Sequence, residues 1–394
     1  MKLPTMDDVD IDGKTVLARV DINSPLDPET MEILDISRIK RIVPTVKELR
    51  DKKSKVVILA HQGRPGGWDF TGLEKHAAAL SNEIGDEVRY VNDIYGKRAR
   101  NAIKELKEGE VLMLDNVRKF DGEQEKKMPE DHSQSIMVHS LAPLADIFVN
   151  DAFAAAHRSQ CSLVGFIPAM PSCAGRLMEK EIKTLAKIME RPERPSLFIF
   201  GGAKYSNAIK VINNLLERKV ADKILLGGVP GSVFLKMKKA SASETEEISK
   251  ILHTFRDKIV LPVDVAIDDG GRKELLVSEM HELQPYDIQD IGGATIKAFT
   301  EGIDGASTVL ISGPMGVFEK KEFEKGTRKV LEAIAASKSF SVIGGGHTVA
   351  AACKFGLADK ISYVSTGGGS LEQFLMGGKL PVIDALERYR GRKC

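Results

Sequence analysis

Short apolar runs alternate with helical patterns along the whole chain, and this alternation constrains the fold more than any other feature. Each run is rich in β-branched or aromatic residues, which is typical of a buried strand. Parallel, doubly wound sheets are the architecture in which strands and helices alternate in this way. The predicted strands cover residues 15–20, 55–60, 110–114, 145–149, 197–200, 223–226, 260–264, 307–311, 339–343 and 361–364.

The chain has 394 residues, which is too long for one ordinary hydrophobic core. Residues 161–178 predict a loop, and Pro192 and Pro195 mark a domain boundary ahead of a new strand. We therefore expect an α/β fold of two doubly wound parallel-sheet, Rossmann-like lobes joined by a hinge helix. The predicted N-terminal domain covers residues 1–175, the hinge helix 176–192 and the C-terminal domain 193–377.

Charge and cysteine content argue against several classes of protein. The 57 basic and 56 acidic residues leave a net charge of +1, which does not indicate binding to nucleic acid or to an anionic membrane. The cysteines have no metal-type spacing, and no apolar run is long enough to span a bilayer. We expect a cytoplasmic protein with free thiols at Cys161, Cys173, Cys353 and Cys394.

Basic residues follow the predicted strands of the first half. The ligand crevice of a parallel sheet lies at the carboxyl ends of its strands, and Arg is suited to bidentate contact with phosphate or carboxylate. Any one of these residues could instead be an ordinary surface residue, but the repeated placement predicts a site for a small polyanion. The candidate cations are Arg38, His61, Arg64, Arg118, His157 and Arg158. Asp21 and Asn23 end the first strand on one face, either to bind a ligand or to close the strand by an Asx turn.

Glycines follow the predicted strands of the second half, as in residues 201–202, 227–228, 313–316, 344–346 and 367–369. Such turns let backbone N–H groups and helix N-termini face phosphates, although tight packing between sheet and helix also explains them. The chain contains no Walker A sequence and no clean dinucleotide fingerprint opening a βαβ unit. We predict a nucleotide site, with Lys204 between a strand end and a helix start as its one well-placed cation.

A basic lobe for a polyanion and a glycine-rich lobe for a nucleotide suit phosphoryl transfer, which mainly needs positioning and charge neutralisation. Lys204 is the candidate to follow the moving phosphoryl group, and Arg38 is the candidate to stabilise the transition-state charge. Neither can act until the lobes close, so we expect a hinge near residues 165–195.

Six ordered motifs resemble the phosphoglycerate kinase family, closest to its archaeal branch. The match extends from about residue 15 to residue 385. Its motifs are Asp21-Ile-Asn23, His61-Gln-Gly-Arg64-Pro, Val149-Asn-Asp-Ala-Phe153 with His157-Arg158, Gly201-Gly-Ala-Lys204, Gly313-Pro-Met-Gly-Val-Phe-Glu319 and Ser365-Thr-Gly-Gly-Gly369. The resemblance implies reversible, Mg²⁺-dependent transfer between 1,3-bisphosphoglycerate and ADP, which gives 3-phosphoglycerate and ATP after a hinge-bending closure.

The resemblance also implies roles for individual residues. Arg38 and Lys204 would be catalytic, and the segment 378–394 would pack back on the N-terminal domain. Phosphoglycerate would be bound by Asp21, Asn23, Arg38, His61, Gln62, Gly63, Arg64, Arg118 and Arg158. The nucleotide would be bound by Gly201, Ala203, Gly228, Pro314, Glu319, Gly345, Gly346, His347 and Thr348, with Glu319 as the ribose partner.

Three positions depart from the family pattern. Ala208 stands where a second Lys is usual, His347 replaces an Asp that serves the metal, and Ser312 replaces an Asn. Mg²⁺ prefers oxygen ligands, so water and nucleotide phosphates are expected to hold the ion, and no protein ligand for it is assigned. The alternative hypothesis is a nucleotide-binding relative that has lost catalysis. We expect small-molecule partners only and a monomer, with a homodimer as the alternative.

Overall fold

The computed structural model describes residues 3–203, 205–236, 241–280 and 287–391. They divide into two compact units, and the division falls inside the helix Arg176–Glu190. Unit 1 contains the described residues up to 183 together with 379–391, and unit 2 contains those between 184 and 378. The predicted α/β fold with two parallel sheets is confirmed, whereas the domain boundaries and the hinge stay predictions.

Unit 1 is built on a parallel sheet in the order β3-β4-β2-β1-β5-β6. Its strands are β1 Thr15–Val20, β2 Lys55–Leu59, β3 Val88–Val91, β4 Val111–Leu114, β5 Ile147–Asp151 and β6 Ser172–Ala174. Its helices are α1 Ser37–Asp51, α2 Glu74–Ile84, α3 Lys97–Glu105, α4 Pro129–Ser133, α5 Ile136–Leu141, α6 Cys161–Val164 and the first half of α7 Arg176–Glu190.

The central strand β1 is covered on both faces, because every residue from Val16 to Val20 is buried. Val16, Ala18 and Val20 pack with Ile39 and Ile42 of α1 in one hydrophobic cluster. This two-sided burial explains why the strand reads as an almost continuous apolar run rather than as an alternating one.

Two parts of unit 1 differ from the sequence-based expectation, and the first is the edge strand β3, for which no strand was predicted. Residues 161–178 are not simply a loop, because they contain α6 and the three-residue edge strand β6, which is paired with β5 and preceded by Pro171. Helix α1 starts at Ser37 and includes Pro44. Pro44 is exposed, so water can satisfy the carbonyl that the missing N–H leaves free.

Unit 2 contains a second parallel sheet, in the order β15-β14-β13-β7-β8-β9. The strands of the unit are β7 Ser196–Phe200, β8 Lys223–Leu226, β9 Ile259–Val260, β10 Asp264–Asp268, β11 Arg272–Leu276, β12 Ile288–Ile291, β13 Thr308–Ser312, β14 Phe340–Gly344 and β15 Tyr363–Val364. The helices after α7 are α8 Ser206–Glu217, α9 Gly228–Lys236, α10 Ala242–Thr254, α11 Gly293–Asp304, α12 Lys325–Ala336, α13 Gly346–Lys354 and α14 Gly368–Leu375.

The sequence did not reveal the antiparallel sheet β11-β10-β12. The single strand expected over 260–264 is divided between β9 and β10, which belong to different sheets. Pro262 lies between them and has no N–H to donate to a strand ladder, which explains the break.

The last described helix, α15 Pro381–Arg388, belongs to unit 1. Its Val382 N–H donates to the carbonyl of Ala156 at 3.3 Å, and Arg388 pairs with Glu130 of α4 at 3.1 Å. Residues 392–394 of the segment expected to pack on the N-terminal domain lie outside the described residues. No helix in the described ranges is both long and apolar enough to cross a membrane.

A buried carboxylate ties the end of β5 to the start of α7. Asp151 accepts hydrogen bonds from the backbone N–H of Met178 at 2.9 Å and from the hydroxyl of Thr45 at 2.6 Å. Burial raises the pKa of Asp151 to about 6, although both hydrogen bonds oppose that shift. The carboxyl group therefore caps the helix that crosses the division between the units.

We expect Asp151→Ala to lower the free energy of unfolding by about 2–3 kcal/mol, because two buried donors lose their acceptor. Urea unfolding checks this, followed by circular dichroism and by the fluorescence of Trp68, the single tryptophan, which belongs to unit 1. The control is Asp131→Ala, at an exposed carboxylate on α4, which should change stability by less than about 0.5 kcal/mol.

The loss of stability in Asp151→Ala should also depend on pH. The folded carboxyl holds its proton up to about pH 6, whereas an unfolded Asp releases it near about pH 4. Between these values the folded state binds more protons, so the stability that Asp151 contributes falls as pH rises. The loss in Asp151→Ala should therefore be larger at about pH 4 than at about pH 7, and the opposite trend would contradict the raised pKa.

Candidate functional site

The loops after β1 and β2 in unit 1 hold Asp21, Asn23 and Arg38 together. The carboxylate of Asp21 accepts from Arg38 Nη1 at 2.9 Å and from the backbone N–H of Asn23 at 3.1 Å. The second of these contacts is an Asx turn, so the structural interpretation of Asp21 holds alongside the ligand-binding one. Asn23 Oδ1 accepts from the backbone N–H of Gly63 at 2.8 Å, which joins the two loops.

Gln62 and Gly63 stabilise the conformation of these loops. Gln62 is fully buried, and its amide bonds both the N–H and the carbonyl of Ser24, at 2.9 and 3.0 Å. Gly63 has a φ of +65°, and a Cβ there would lie 2.4 Å from the carbonyl oxygen of Asp69. The carbonyl of Gly63 accepts from Arg118 Nη1, so the same loop also orients a predicted substrate-binding cation.

Four of the predicted cations line one cavity of about 1010 Å³ in unit 1. They are Arg64, Arg118, His157 and Arg158. Arg158 Nε donates to His157 Nε2 at 3.2 Å. Arg118 Nε is buried and has no hydrogen-bond partner in the described part of the chain. The cluster therefore retains donor capacity for a ligand.

The electrostatics show how close these groups lie to one another. Burial and the charge of Arg158 lower the pKa of Arg118 to about 10, and burial also lowers the pKa of Arg158. Burial opposes the charge on Asp21, yet its neighbours His61, Arg38 and Arg19 lower the pKa of that carboxyl to about 2. A guanidinium whose pKa is lowered by a neighbouring cation favours a bound anion, which relieves the repulsion between the two charges.

Sequence reasoning missed two buried charges beneath this site. Arg19 and Glu123 are completely buried, and the hydroxyl of Ser162 contacts both. The signal for Arg19 was its position inside an apolar strand, two residues before Asp21 and thus on the same face. Glu123 lies in a loop among other polar residues, and nothing in the sequence distinguished it from them.

A cavity of about 540 Å³ in unit 2 brings together all the predicted nucleotide-binding residues. These are Gly201, Ala203, Gly228, Pro314, Glu319, Gly345, Gly346, His347 and Thr348. The first residues of α9, α13 and α14 also line it, and the starts of α13 and α14 offer N–H groups without an intrahelical partner to this space. At α9 the N–H groups of Gly228 and Val229 already donate to the carbonyls of Met315 and Gly202. Apolar side chains, among them Val211, Val229 and Leu375, form part of its wall.

Packing explains some of the glycines but not others. A Cβ on Gly313 would lie 2.1 Å from the carbonyl oxygen of Gly201, and Gly313 has a φ of +94°. Side chains are therefore excluded where the ends of β7 and β13 touch. A Cβ on Gly346 or Gly368 would instead meet nothing within 4 Å. At those two positions the open space favours the approach of a ligand.

The departures from the family pattern also lie at this cavity. Ala208, Ser312 and His347 line it, and His347 Nδ1 is 3.6 Å from Glu319 Oε1 with both side chains exposed. Lys204, the predicted catalytic cation, lies outside the described residues. Within the described ranges, no group of three or more His, Cys, Asp and Glu residues is placed to hold a metal ion.

One α/β unit holds a cluster of cations that suits an anion, and the other holds a glycine-lined cavity. Together these features indicate a phosphotransferase of the two-domain class. A family model described as phosphoglycerate kinase matches residues 6–378. The chain therefore belongs to the phosphoglycerate kinase family, whose members are kinases that act on a carboxyl group. This confirms the family predicted from the motifs, and the alternative of a non-catalytic relative finds no support.

Relatives match over nearly the full length of the chain. The phosphoglycerate kinase of Methanothermobacter thermautotrophicus is 44% identical, covering 99% of this chain and 98% of the relative. That of Methanococcus maripaludis is 45% identical, covering 98% of each. The crystal structure of the phosphoglycerate kinase from Pyrococcus horikoshii has a TM-score of 0.88 at 39% identity, with 98% of this chain and 99% of that chain covered.

We expect Gly313→Ala to lower the free energy of unfolding by about 3 kcal/mol, because the new methyl group meets a backbone carbonyl at a left-handed φ. Gly368→Ala is the matched control in the same cavity and should cost less than about 0.5 kcal/mol. Urea unfolding measures both. Equal losses in the two variants would contradict the close approach of β7 and β13.

Proposed function

We propose that unit 1 binds phosphoglycerate, that unit 2 binds the nucleotide, and that a phosphoryl group passes reversibly between 1,3-bisphosphoglycerate and ADP. The observation that carries this assignment is the cluster of Arg64, Arg118 and Arg158 at one cavity. Burial and the charge of Arg158 lower the pKa of Arg118, and burial and the charge of Arg64 lower the pKa of Arg158. A substrate with a phosphate at one end and a carboxyl or acyl phosphate at the other matches such a cluster.

The groups of unit 1 divide by their chemistry. Guanidinium groups donate only, so Arg64, Arg118 and Arg158 suit the phosphate and carboxyl oxygens. Asp21 keeps its negative charge, and it can accept a hydrogen bond from a substrate hydroxyl. This combination would distinguish a glycerate from an anion without a hydroxyl.

The groups of unit 2 suit a nucleoside diphosphate or triphosphate. The phosphates fit the starts of α13 and α14, where the first backbone N–H groups have no intrahelical partner. The base fits the apolar wall near Val211 and Leu375, and Glu319 is exposed to accept from a ribose hydroxyl. The nucleotide is thus held mainly by backbone and apolar contacts.

Mg²⁺ fits this site as an ion carried by the nucleotide rather than by a protein cage. The cavity offers the carboxylates of Glu319 and Glu372, whereas the imidazole of His347 is a poor ligand for so hard a cation. When bound, Mg²⁺ neutralises phosphate charge. The residues expected to stabilise the transferring phosphoryl group itself are Arg38 and Lys204.

Arg38 is half-exposed in unit 1, and its pairing with Asp21 holds the guanidinium at the start of α1. It can serve a phosphoryl group from unit 2 only after the units close, so we propose hinge bending within residues 176–192. We further propose a monomer in the cytoplasm that handles small-molecule substrates, without nucleic-acid or membrane partners.

We expect Arg118→Met to raise the KM for 3-phosphoglycerate by about 10- to 100-fold, the range for loss of one charge-assisted contact. The KM for ATP should stay unchanged, because Arg118 belongs to unit 1. A coupled assay of ATP-dependent phosphorylation measures both constants. Arg98→Met, at an exposed Arg on α3, is the control and should behave as wild type.

Two outcomes would count against the assignment. A rise in the KM for ATP with an unchanged KM for 3-phosphoglycerate would exchange the roles of the units. Tight ADP binding by calorimetry without any turnover of the wild type would favour the non-catalytic alternative.

We expect His347→Asp to lower the Mg²⁺ concentration needed for half-maximal activity by about tenfold, because a carboxylate adds an oxygen ligand near the nucleotide phosphates. A magnesium titration at saturating substrates measures this. His347→Asn is the control, since it is close in size to Asp but lacks the charge. Equal magnesium requirements in the two variants would argue that residue 347 lies away from the ion.

A further inference from the structure

The ring of His61 is held from beneath by a buried arginine. Arg19 lies in β1 with no solvent exposure, and its Nη2 is 3.1 Å from His61 Nδ1. Its Nε donates to the hydroxyl of Ser162 at 2.8 Å, and its Nη1 donates to the carbonyl of Val20. Each of the three guanidinium nitrogens thus has a partner in unit 1.

The hydrogen-bond donors of Arg19 determine which ring nitrogen of His61 carries a hydrogen. A guanidinium group has only donors, so Nδ1 of His61 must accept the hydrogen bond and cannot carry a hydrogen. An imidazole with a bare Nδ1 is neutral and carries its hydrogen on Nε2. The contact with Arg19 is therefore compatible with one tautomer and excludes the doubly protonated ring.

A second buried contact fixes Arg19 itself. Ser162 donates its hydroxyl hydrogen to Glu123 Oε1 at 2.7 Å, and its backbone N–H donates to Oε2 at 2.8 Å. Because the hydroxyl gives its hydrogen to Glu123, its lone pairs face Arg19 Nε. Glu123, Ser162 and Arg19 thus form an ordered chain of donors and acceptors that ends at His61.

The charges that face His61 come from several elements. Asp21 follows β1, Arg118 follows β4 and Arg158 follows β5, while Arg19 lies beneath the ring. Burial, reinforced by the three arginines and opposed by Asp21, lowers the pKa of His61 well below its usual value. The ring therefore stays neutral even though a carboxylate is its neighbour.

We propose that Arg19 is a positioning residue that locks His61 in the neutral Nε2–H tautomer, so that His61 gives phosphoglycerate a fixed hydrogen-bond donor and does not act as an acid or a base. The part that concerns the substrate rests on the proposed binding of phosphoglycerate in unit 1. The lock adds a donor to the arginine cluster without adding another charge to it.

The wild-type protein provides the direct test. Long-range proton–nitrogen NMR on enzyme labelled with ¹⁵N-histidine distinguishes a bare from a protonated ring nitrogen, and His61→Gln assigns the signal among the eight histidines. We expect a bare Nδ1 and a protonated Nε2, unchanged from about pH 5 to about pH 8. A hydrogen on Nδ1, or a ring that becomes charged in this range, would overturn the proposal.

Variants of Arg19 test its role. Arg19→Met should give a mixture of the two tautomers and raise the KM for 3-phosphoglycerate about five- to tenfold with a smaller change in kcat. Arg19→Lys, which keeps a charged donor, should restore part of both signals. If Arg19→Met does not fold, Ser162→Ala is the substitute, because it removes the hydroxyl that holds Arg19 Nε. It should shift the tautomer signal in the same direction. An unchanged Nε2–H signal in the folded variants would overturn the role of Arg19.

Failure of the lock and failure of the substrate assignment give different results. If His61→Gln raises the KM for 3-phosphoglycerate but the wild-type ring carries its hydrogen on Nδ1, the lock is wrong and the substrate site stands. If the Nε2–H tautomer is present but His61→Leu, which has no donor, leaves that KM unchanged, the donor role at the substrate is wrong.

Discussion

Mutual repulsion among buried cations is the constraint around which unit 1 is arranged. Burial and the charge of Arg158 lower the pKa of both Arg118 and Arg19, and Arg19 lies fully buried beneath the site. Protein groups offset part of this charge, with Asp21 at the surface of the site and Glu123 behind Ser162. The offset is incomplete, which leaves a favourable place for the anionic groups of a substrate. A neutral His61 fits this arrangement, because a further positive charge would add to the repulsion.

Much of the fold could be predicted because strand and helix patterns are local. The buried strands of both parallel sheets are short apolar runs, and the order of those runs sets the topology. The antiparallel sheet β11-β10-β12 was not predicted, because β11 is largely exposed and its sequence, Arg-Lys-Glu-Leu-Leu, lacks an apolar pattern. The edge strand β6 was missed for a different reason, since three residues between turn signals are too short to show a period.

Functional residues could be predicted where they directly follow a strand end. They could not be predicted where they lie inside a strand or helix. Arg64 and Arg118 stand just past strand ends, so the rule for parallel sheets brings them together. Arg19 is inside a strand, and its function depends on Ser162, which is 143 residues away in the chain. A contact over that separation leaves no local signature. The glycines cannot be told apart from the sequence for a similar reason. Gly313 must be glycine because a neighbouring backbone lies too close for a side chain, whereas Gly346 borders open space.

The two units solve the problem of binding anions in opposite ways. Unit 1 uses fixed charges, which are strong but repel one another and need buried acids beside them. Unit 2 uses helix N-termini and backbone groups, which attract phosphate without carrying a full charge. Ala208 extends this contrast, because an apolar methyl lines the cavity at the position where the family pattern predicts a second lysine. With that charge absent, we expect neutralisation of the transferring phosphoryl group to depend more heavily on Lys204, together with Arg38 of unit 1. Closure of the units would then be the step that completes the electrostatics as well as the geometry.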